Sequence, residues 1–188
     1  LNNTIIQNVI YTICGDNMEM NKAEIIKRLM SVDNDMSLLD TTADTYSCII
    51  VGGSALVLLE KIYRSTHDID SINASDEIKQ LLEIYNINMN VSAYRINFPD
   101  DYLNRIIPID IPTKKVKFYT VSLEDLVVSK LCSMRDKDVE DIENELVYKS
   151  LDWNLLDKLI DDVCYGMLSD FDRNALVINY NHYKERFK

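Results

Sequence analysis

Ser47-Cys48-Ile49-Ile50-Val51-Gly52-Gly53-Ser54-Ala55-Leu56-Val57-Leu58-Leu59, followed by Thr66-His67-Asp68-Ile69-Asp70-Ser71-Ile72, is the stretch that decides the architecture of this chain. Ser47 to Val51 is a short, continuous apolar and β-branched run, the pattern of a strand covered on both faces. Gly52-Gly53-Ser54 stops it, and Ala55 to Tyr63 reads as a buried helix. Thr66 to Ile72 then alternates polar and apolar residues with period two, as a half-exposed strand does. Strand, glycine turn, helix, strand is the frame on which the rest is placed.

Working outward, Ile25, Ile26, Leu29 and Met30 mark one face of a helix over Asn21 to Met30, and a second short helix is predicted over Met36 to Tyr46. Ser75 is read as the cap of a helix whose apolar face is Ile78, Leu81, Leu82 and Tyr85. Asn90 to Ile96 is a further strand candidate, and Ile106 to Ile111 with Val116 to Val121 form a pair of strands around Pro112-Thr113-Lys114-Lys115. After Ser122-Leu123-Glu124-Asp125, which fits a capping box, the pattern is helical: to about Met134, then Asp138 to Tyr148, Asp152 to Tyr165 and Asp170 to Phe187. The expectation is an α/β (α+β) fold, a small mixed sheet of about four strands flanked by helices. Its parts are an N-terminal extension (1–20), an α/β core (21–122) and a helical C-terminal portion (123–188). The stripe Leu155, Leu156, Leu159, Ile160 and Val163 needs a partner surface, and burial within the chain is preferred over an interface.

The 188 residues carry 20 Lys and Arg against 31 Asp and Glu, a formal charge of −11. Such an acidic surface argues against a dedicated binder of nucleic acid or anionic membrane. No apolar run approaches the ~20 residues that span a bilayer. Cys14, Cys48, Cys132 and Cys164 are far apart and form no CxxC pair, so they read as reduced cysteines of a cytoplasmic protein. With two histidines, His67 and His182, neither near a cysteine in sequence, a zinc site is not expected.

Asp68 and Asp70, two apart on a strand, project to one face with Cα atoms roughly 6 to 7 Å apart. One hard cation can bridge such a pair and leave positions open for substrate phosphates; the alternative is two solvated carboxylates. A double glycine between strand and helix lets the backbone approach a phosphate closely, or simply makes a tight turn. Asp68 follows Ser54 by 14 residues, enough for one helix to return the chain and set both features side by side.

Val51-Gly52-Gly53-Ser54-Ala55-Leu56 with Arg64-Ser65-Thr66-His67-Asp68-Ile69-Asp70 resembles the "GGxAL … RxTxDID" signature of small bacterial nucleotidyltransferase-like proteins of the DNA polymerase β superfamily, which include AbiEii-type toxins. Leu123 to Leu131 and Arg135 to Ile142 are similar to a second block of the same families, so the resemblance covers about Ile49 to Leu146. It implies that Gly52, Gly53 and Ser54 lie at the triphosphate, with Arg64 and Thr66 beside them. Asp68 and Asp70 would hold Mg²⁺ or Mn²⁺, Lys130 would reach phosphate or base, and Asp138 and Asp141 would order the pocket or assist the acceptor. The implied activity is transfer of a nucleoside monophosphate from a nucleoside triphosphate to a protein or RNA acceptor such as tRNA. The rival is a non-catalytic antitoxin or interaction partner within a toxin–antitoxin pair. Such transferases place a third carboxylate on a strand beside the Asp-x-Asp, and Asp110, between Pro108 and Pro112, is the candidate. On one unbroken helix Lys130 and Asp141 would stand roughly 16 Å apart, so they can meet only if the chain bends over Ser133 to Lys137. Lys114, Lys115 and Lys117 form a basic cluster, read as edge protection or as a phosphate attractor.

Overall fold

The structure, a computed structural model, describes residues 19–39, 43–91 and 97–188. The expected N-terminal extension therefore lies outside the described residues apart from Glu19 and Met20. The first helix, α1 (Lys22–Ser37), starts in a reciprocal cap. Glu24 N–H donates to Asn21 Oδ1 (3.1 Å) and Asn21 N–H to Glu24 Oε2 (2.8 Å). Each satisfies a donor that the first turn leaves without an intrahelical acceptor. The helix runs about two turns further than its first apolar residues suggest, because Val32 and Met36 continue the stripe begun by Ile25 and Leu29. This corrects the second helix predicted over Met36 to Tyr46. Met36 belongs to α1, and Ala43 and Asp44 lie in a bend before the first strand.

Among the described residues five strands form one sheet, β1 (Tyr46–Val51), β2 (Ile69–Ile72), β3 (Ile87–Asn88), β4 (Ile107–Pro108) and β5 (Val116–Thr120), in the order β3-β2-β1-β5-β4. The central pairs are β1 antiparallel to β2 and parallel to β5; β3 runs parallel to β2 and β4 antiparallel to β5. Every residue of β1 except Ser47 is buried, which is why it reads as an unbroken apolar run. The glycine turn leads directly into α2 (Gly52–Leu58), shorter than the expected Ala55 to Tyr63 because Glu60 takes a left-handed conformation (φ 57°). Ser75 does precede a 3₁₀ turn that leads into α3 (Lys79–Ile84), but it offers no side-chain cap; its hydroxyl instead accepts the N–H of Ser47 at the start of β1 (3.1 Å).

Three expected strands shift. The strand expected over Thr66 to Ile72 is cut to Ile69–Ile72, so Asp70 lies on it and Asp68 just before it. The strand expected over Asn90 to Ile96 falls partly outside the described residues, and pairing with β2 occurs at Ile87–Asn88 instead. The strand expected over Ile106 to Ile111 is cut to Ile107–Pro108 at the sheet edge, where a proline lacking an N–H is tolerated. The Lys114 turn is fixed by the buried Asp33 of α1, whose carboxylate accepts the backbone N–H groups of Lys114, Lys115 and Val116 at 2.7 to 3.1 Å.

The C-terminal portion comprises α4 (Leu123–Ser133), α5 (Asp136–Ile142), α6 (Glu145–Tyr148), α7 (Trp153–Gly166) and α8 (Asp170–Phe187). The single helix expected over Asp138 to Tyr148 is thus two, broken where Asn144 caps α6 through Leu146 N–H. Leu156, Leu159, Ile160 and Val163 of α7 are buried, and α4, α7 and α8 pack on one another, so the α7 stripe is satisfied within the chain. α4 also packs on α2, which joins this helical layer to the sheet. Cys48 is buried and Cys132 and Cys164 are half-buried; all three are free thiols, and burial pushes Cys48 and Cys132 up to about 12. Among the described residues no helix is long and apolar enough to cross a membrane.

Candidate functional site

Antiparallel pairing of β1 with β2 sets Val51 opposite Asp70, so the glycine turn and the second aspartate meet by register. Gly52 has φ 68°, and a Cβ there would stand 3.1 Å from Asp70 Oδ2. Both the left-handed backbone and the closeness of the carboxylate therefore demand glycine. Gly53 faces the other way: a Cβ on it would lie 3.3 Å from a guanidinium nitrogen of Arg64 and 3.7 Å from Thr66 Oγ1. No side chain caps the start of α2. Thr66 is buried and donates its hydroxyl to the Asp68 carbonyl (3.2 Å), which fixes the loop just before β2 where Asp68 sits.

Asp68 is exposed and Asp70 half-buried. Burial, and next the negative charge of Asp68, push the Asp70 carboxyl above its ordinary range; a hydrogen bond from Asn88 and the charges of Arg135 and Lys130 oppose that. A half-buried carboxylate beside a second negative charge forms with it a donor pair that a divalent cation would stabilise, and an oxygen-only pair suits Mg²⁺ or Mn²⁺ rather than zinc. Among the described residues no group of three His, Cys, Asp or Glu side chains converges as a metal site.

The opposite wall is cationic. Met134 ends α4 in a left-handed conformation (φ 50°, ψ 34°), and the chain doubles back into α5. That bend brings Lys130 Nζ to 2.8 Å from both Asp138 Oδ1 and Asp141 Oδ2. Arg64 grips Asp141 with two parallel bonds of 2.9 and 2.8 Å, and Arg135 Nε and Ser133 Oγ each donate to Asp138 Oδ2 at 2.8 Å. Burial disfavours a charged Asp138, yet the bonds from Arg135, Lys130 and Ser133 and the Lys130 charge outweigh it and hold its carboxyl down to about 2. Asp138 and Asp141 thus fix the three cations in place; neither is a free base.

These walls enclose a cavity of about 330 Å³, lined from the first block by Gly52, Gly53, Arg64, Thr66, Asp68 and Asp70 and from the second by Lys130 and Asp138. Of the other expected site residues, Asp141 lies buried behind Arg64 and Lys130. Ser54 is buried with its hydroxyl donated to the Val51 carbonyl (2.9 Å) and is not part of the lining. Asp110 is exposed, beyond the end of β4, and is not part of it either. β4 is the opposite edge strand, with β5 and β1 between it and β2, so no extension of that strand sets Asp110 beside Asp70. The strands beside Asp70 are β1 and, on the other side, β3, where the residue opposite is Asn88. His67 and the Lys114 cluster also lie outside the cavity lining.

Sequence reading missed Leu126, Ser129, Arg135, Asp136 and Lys137 as lining residues. For Leu126 and Ser129 a signal existed, since they precede Lys130 by four and one on α4 and Leu126 shares its face. Nothing in the local pattern distinguishes Asn88 from its neighbours Asn86 and Asn90.

A comparison with curated proteins finds no match, and one with solved structures finds none either. Residues 27–188, including both walls of the cavity, match the family described as "nucleotidyltransferase of unknown function (DUF6036)". The chain belongs to that family of nucleotidyltransferases.

Proposed function

We propose that this chain is a metal-dependent nucleotidyltransferase of the DNA polymerase β superfamily, related to the AbiEii-type proteins. It would bind a nucleoside triphosphate and transfer its nucleoside monophosphate to a hydroxyl of a protein or RNA acceptor, tRNA included. The observation that carries the reading is the convergence on one cavity of a glycine turn, two adjacent carboxylates and four cations: Arg64, Lys130, Arg135 and Lys137. A triphosphate needs close backbone approach, charge neutralisation and a hard cation, and these walls offer groups suited to each. Asp68 and Asp70 would hold Mg²⁺ or Mn²⁺, which supplies neutralisation of the phosphate oxygens. Gly52 and Gly53 leave room for phosphate against the start of α2. Arg64 and Lys130, held rigid by Asp141 and Asp138, act as preorganised positive charge, and preorganisation is what gives electrostatic stabilisation its effect. In the transfer, the acceptor oxygen bonds to the α-phosphorus, the bond to the bridging oxygen breaks and pyrophosphate leaves. The acceptor proton passes to a basic group or to water.

A second reading has its own observation. Asn88 stands opposite Asp70 where the resemblance would place a carboxylate base, and Asp138 and Asp141 are engaged in ion pairs. A carboxamide is not a base, which favours a chain that binds nucleotide and serves as the antitoxin or interaction half of a two-component system.

Incubation of the purified chain with each labelled nucleoside triphosphate and Mg²⁺ or Mn²⁺ decides between them. Label transferred to the chain itself, to tRNA or to a co-purifying protein, and lost in Asp68→Asn and Asp70→Asn, is the expected result. Triphosphate binding without transfer to any acceptor selects the interaction reading. Absence of both binding and transfer refutes the nucleotide site.

A further inference from the structure

Asn88 ends β3 in a tight local turn. Its side-chain Oδ1 accepts the backbone N–H of Asn90 at 2.9 Å, the arrangement by which an asparagine imitates a backbone turn. With the oxygen so engaged, the amide can present only its NH₂ to the neighbouring strand, and Nδ2 donates to Asp70 Oδ1 at 2.9 Å. The parallel register of β2 and β3 sets these two residues directly opposite one another. The other carboxylate oxygen, Asp70 Oδ2, stands beside Gly52, which lines the cavity. Asp70 is therefore divided: one oxygen is taken by a carboxamide, and one faces the glycine turn.

We infer that Asn88 is a positioning residue that restricts Asp70 to binding a divalent cation through a single oxygen, and thereby sets the preference of the site for Mg²⁺ over Ca²⁺. The inference rests on the reading of Asp68 and Asp70 as a metal pair. Mg²⁺ is held at one or two carboxylates in a strict octahedral shell rich in water, whereas Ca²⁺ takes a larger, flexible shell and readily uses both oxygens of a carboxylate. Occupying Oδ1 removes the bidentate mode that Ca²⁺ exploits and does little to Mg²⁺. Asn88 is exposed on a two-residue edge strand, so its replacement leaves the core intact.

The test titrates MgCl₂ and CaCl₂ separately, as the metal alone, against the full chain and reads melting temperature and heat of binding. Wild type should be stabilised at lower Mg²⁺ than Ca²⁺. Asn88→Ala, which frees Oδ1, should shift the Mg²⁺/Ca²⁺ affinity ratio toward Ca²⁺ by on the order of tenfold, the effect typical of losing a group that orients a metal ligand. Asn88→Asp keeps the acceptor for Asn90 and replaces the donor with a third carboxylate, and should shift the ratio the same way. A purely structural role would lower melting temperature equally with either metal and leave the ratio unmoved. An unchanged ratio in both variants overturns the inference about Asn88. Equal response of wild type, Asp68→Asn and Asp70→Asn to both metals would instead remove the metal site on which it rests.

Discussion

Gly52 and Gly53 are adjacent and chemically identical, yet the structure requires opposite outcomes from replacing them by alanine. At Gly52 the backbone is left-handed (φ 68°), where an L residue costs roughly 1–2 kcal/mol. The added methyl would also meet Asp70 Oδ2 at 3.1 Å, so the carboxylate has to move by a few tenths of an ångström. Gly53 has ordinary helical geometry within α2, where alanine is preferred over glycine by roughly 0.5–1 kcal/mol. Its nearest neighbour, at 3.3 Å, is the end of the Arg64 side chain, and Arg64 is itself gripped by Asp141. Gly52→Ala should therefore lower stability by roughly 1–2 kcal/mol and Gly53→Ala should leave it within about 0.5 kcal/mol of wild type. At about 2–4 °C per kcal/mol for a chain of this size, the two variants separate by several degrees in a thermal melt. The second measurement is the stabilisation that Mg²⁺ and a nucleoside triphosphate add by binding the folded state. Gly52→Ala displaces a carboxylate of the proposed metal pair and should lose most of that increment, whereas Gly53→Ala should keep it unless triphosphate reaches the Gly53 Cα. Two variants with equal melting points and equal ligand shifts would refute the reasoning, because the strain and the contact with Asp70 are specific to Gly52.

Two other outcomes follow from the packing. The Asp138 carboxyl, held to about 2, lies below the ~3.9 of an unfolded chain, so it contributes about 2–3 kcal/mol that is present above about pH 4 and is lost as pH falls toward 2. Asp138→Asn should cost about 3–5 kcal/mol in urea unfolding at pH 7, by leaving the buried Lys130 short of a partner, and should flatten that acid-side slope; an unchanged slope would show that Asp138 is not the titrating group. Leu159→Ala should cost about 2–5 kcal/mol, and truncation after Ser150 should aggregate, because α7 and α8 cover α4; a soluble, monomeric fragment would show that the α7 stripe is not core.

What the sequence determined by itself was the part of the fold written in local pattern. The apolar run of β1, the glycine stop and the stripe of α7 each follow from spacing over a few residues, and each is an element of the structure; of the paired aspartates only Asp70 lies on β2. The bend between Lys130 and Asp141 was also legible, because two residues eleven apart on one straight helix cannot touch. What only the tertiary structure decided was pairing at a distance. Which glycine carries the strain is set by the register that puts Val51 opposite Asp70, and no local pattern separates two neighbouring glycines. That Asn88, rather than Asp110, lies beside Asp70 depends on which strand adds to β2, and two-residue strands carry too little pattern to reveal it. Lys130, Asp138 and Asp141 read equally well as solvated surface charges, and they meet as buried partners because the chain bends after Lys130 at Met134 and Arg64 reaches across from the loop before β2. Side-chain periodicity records which face of an element turns inward; the identity of the element that meets that face is fixed by the free energy of the whole packed chain.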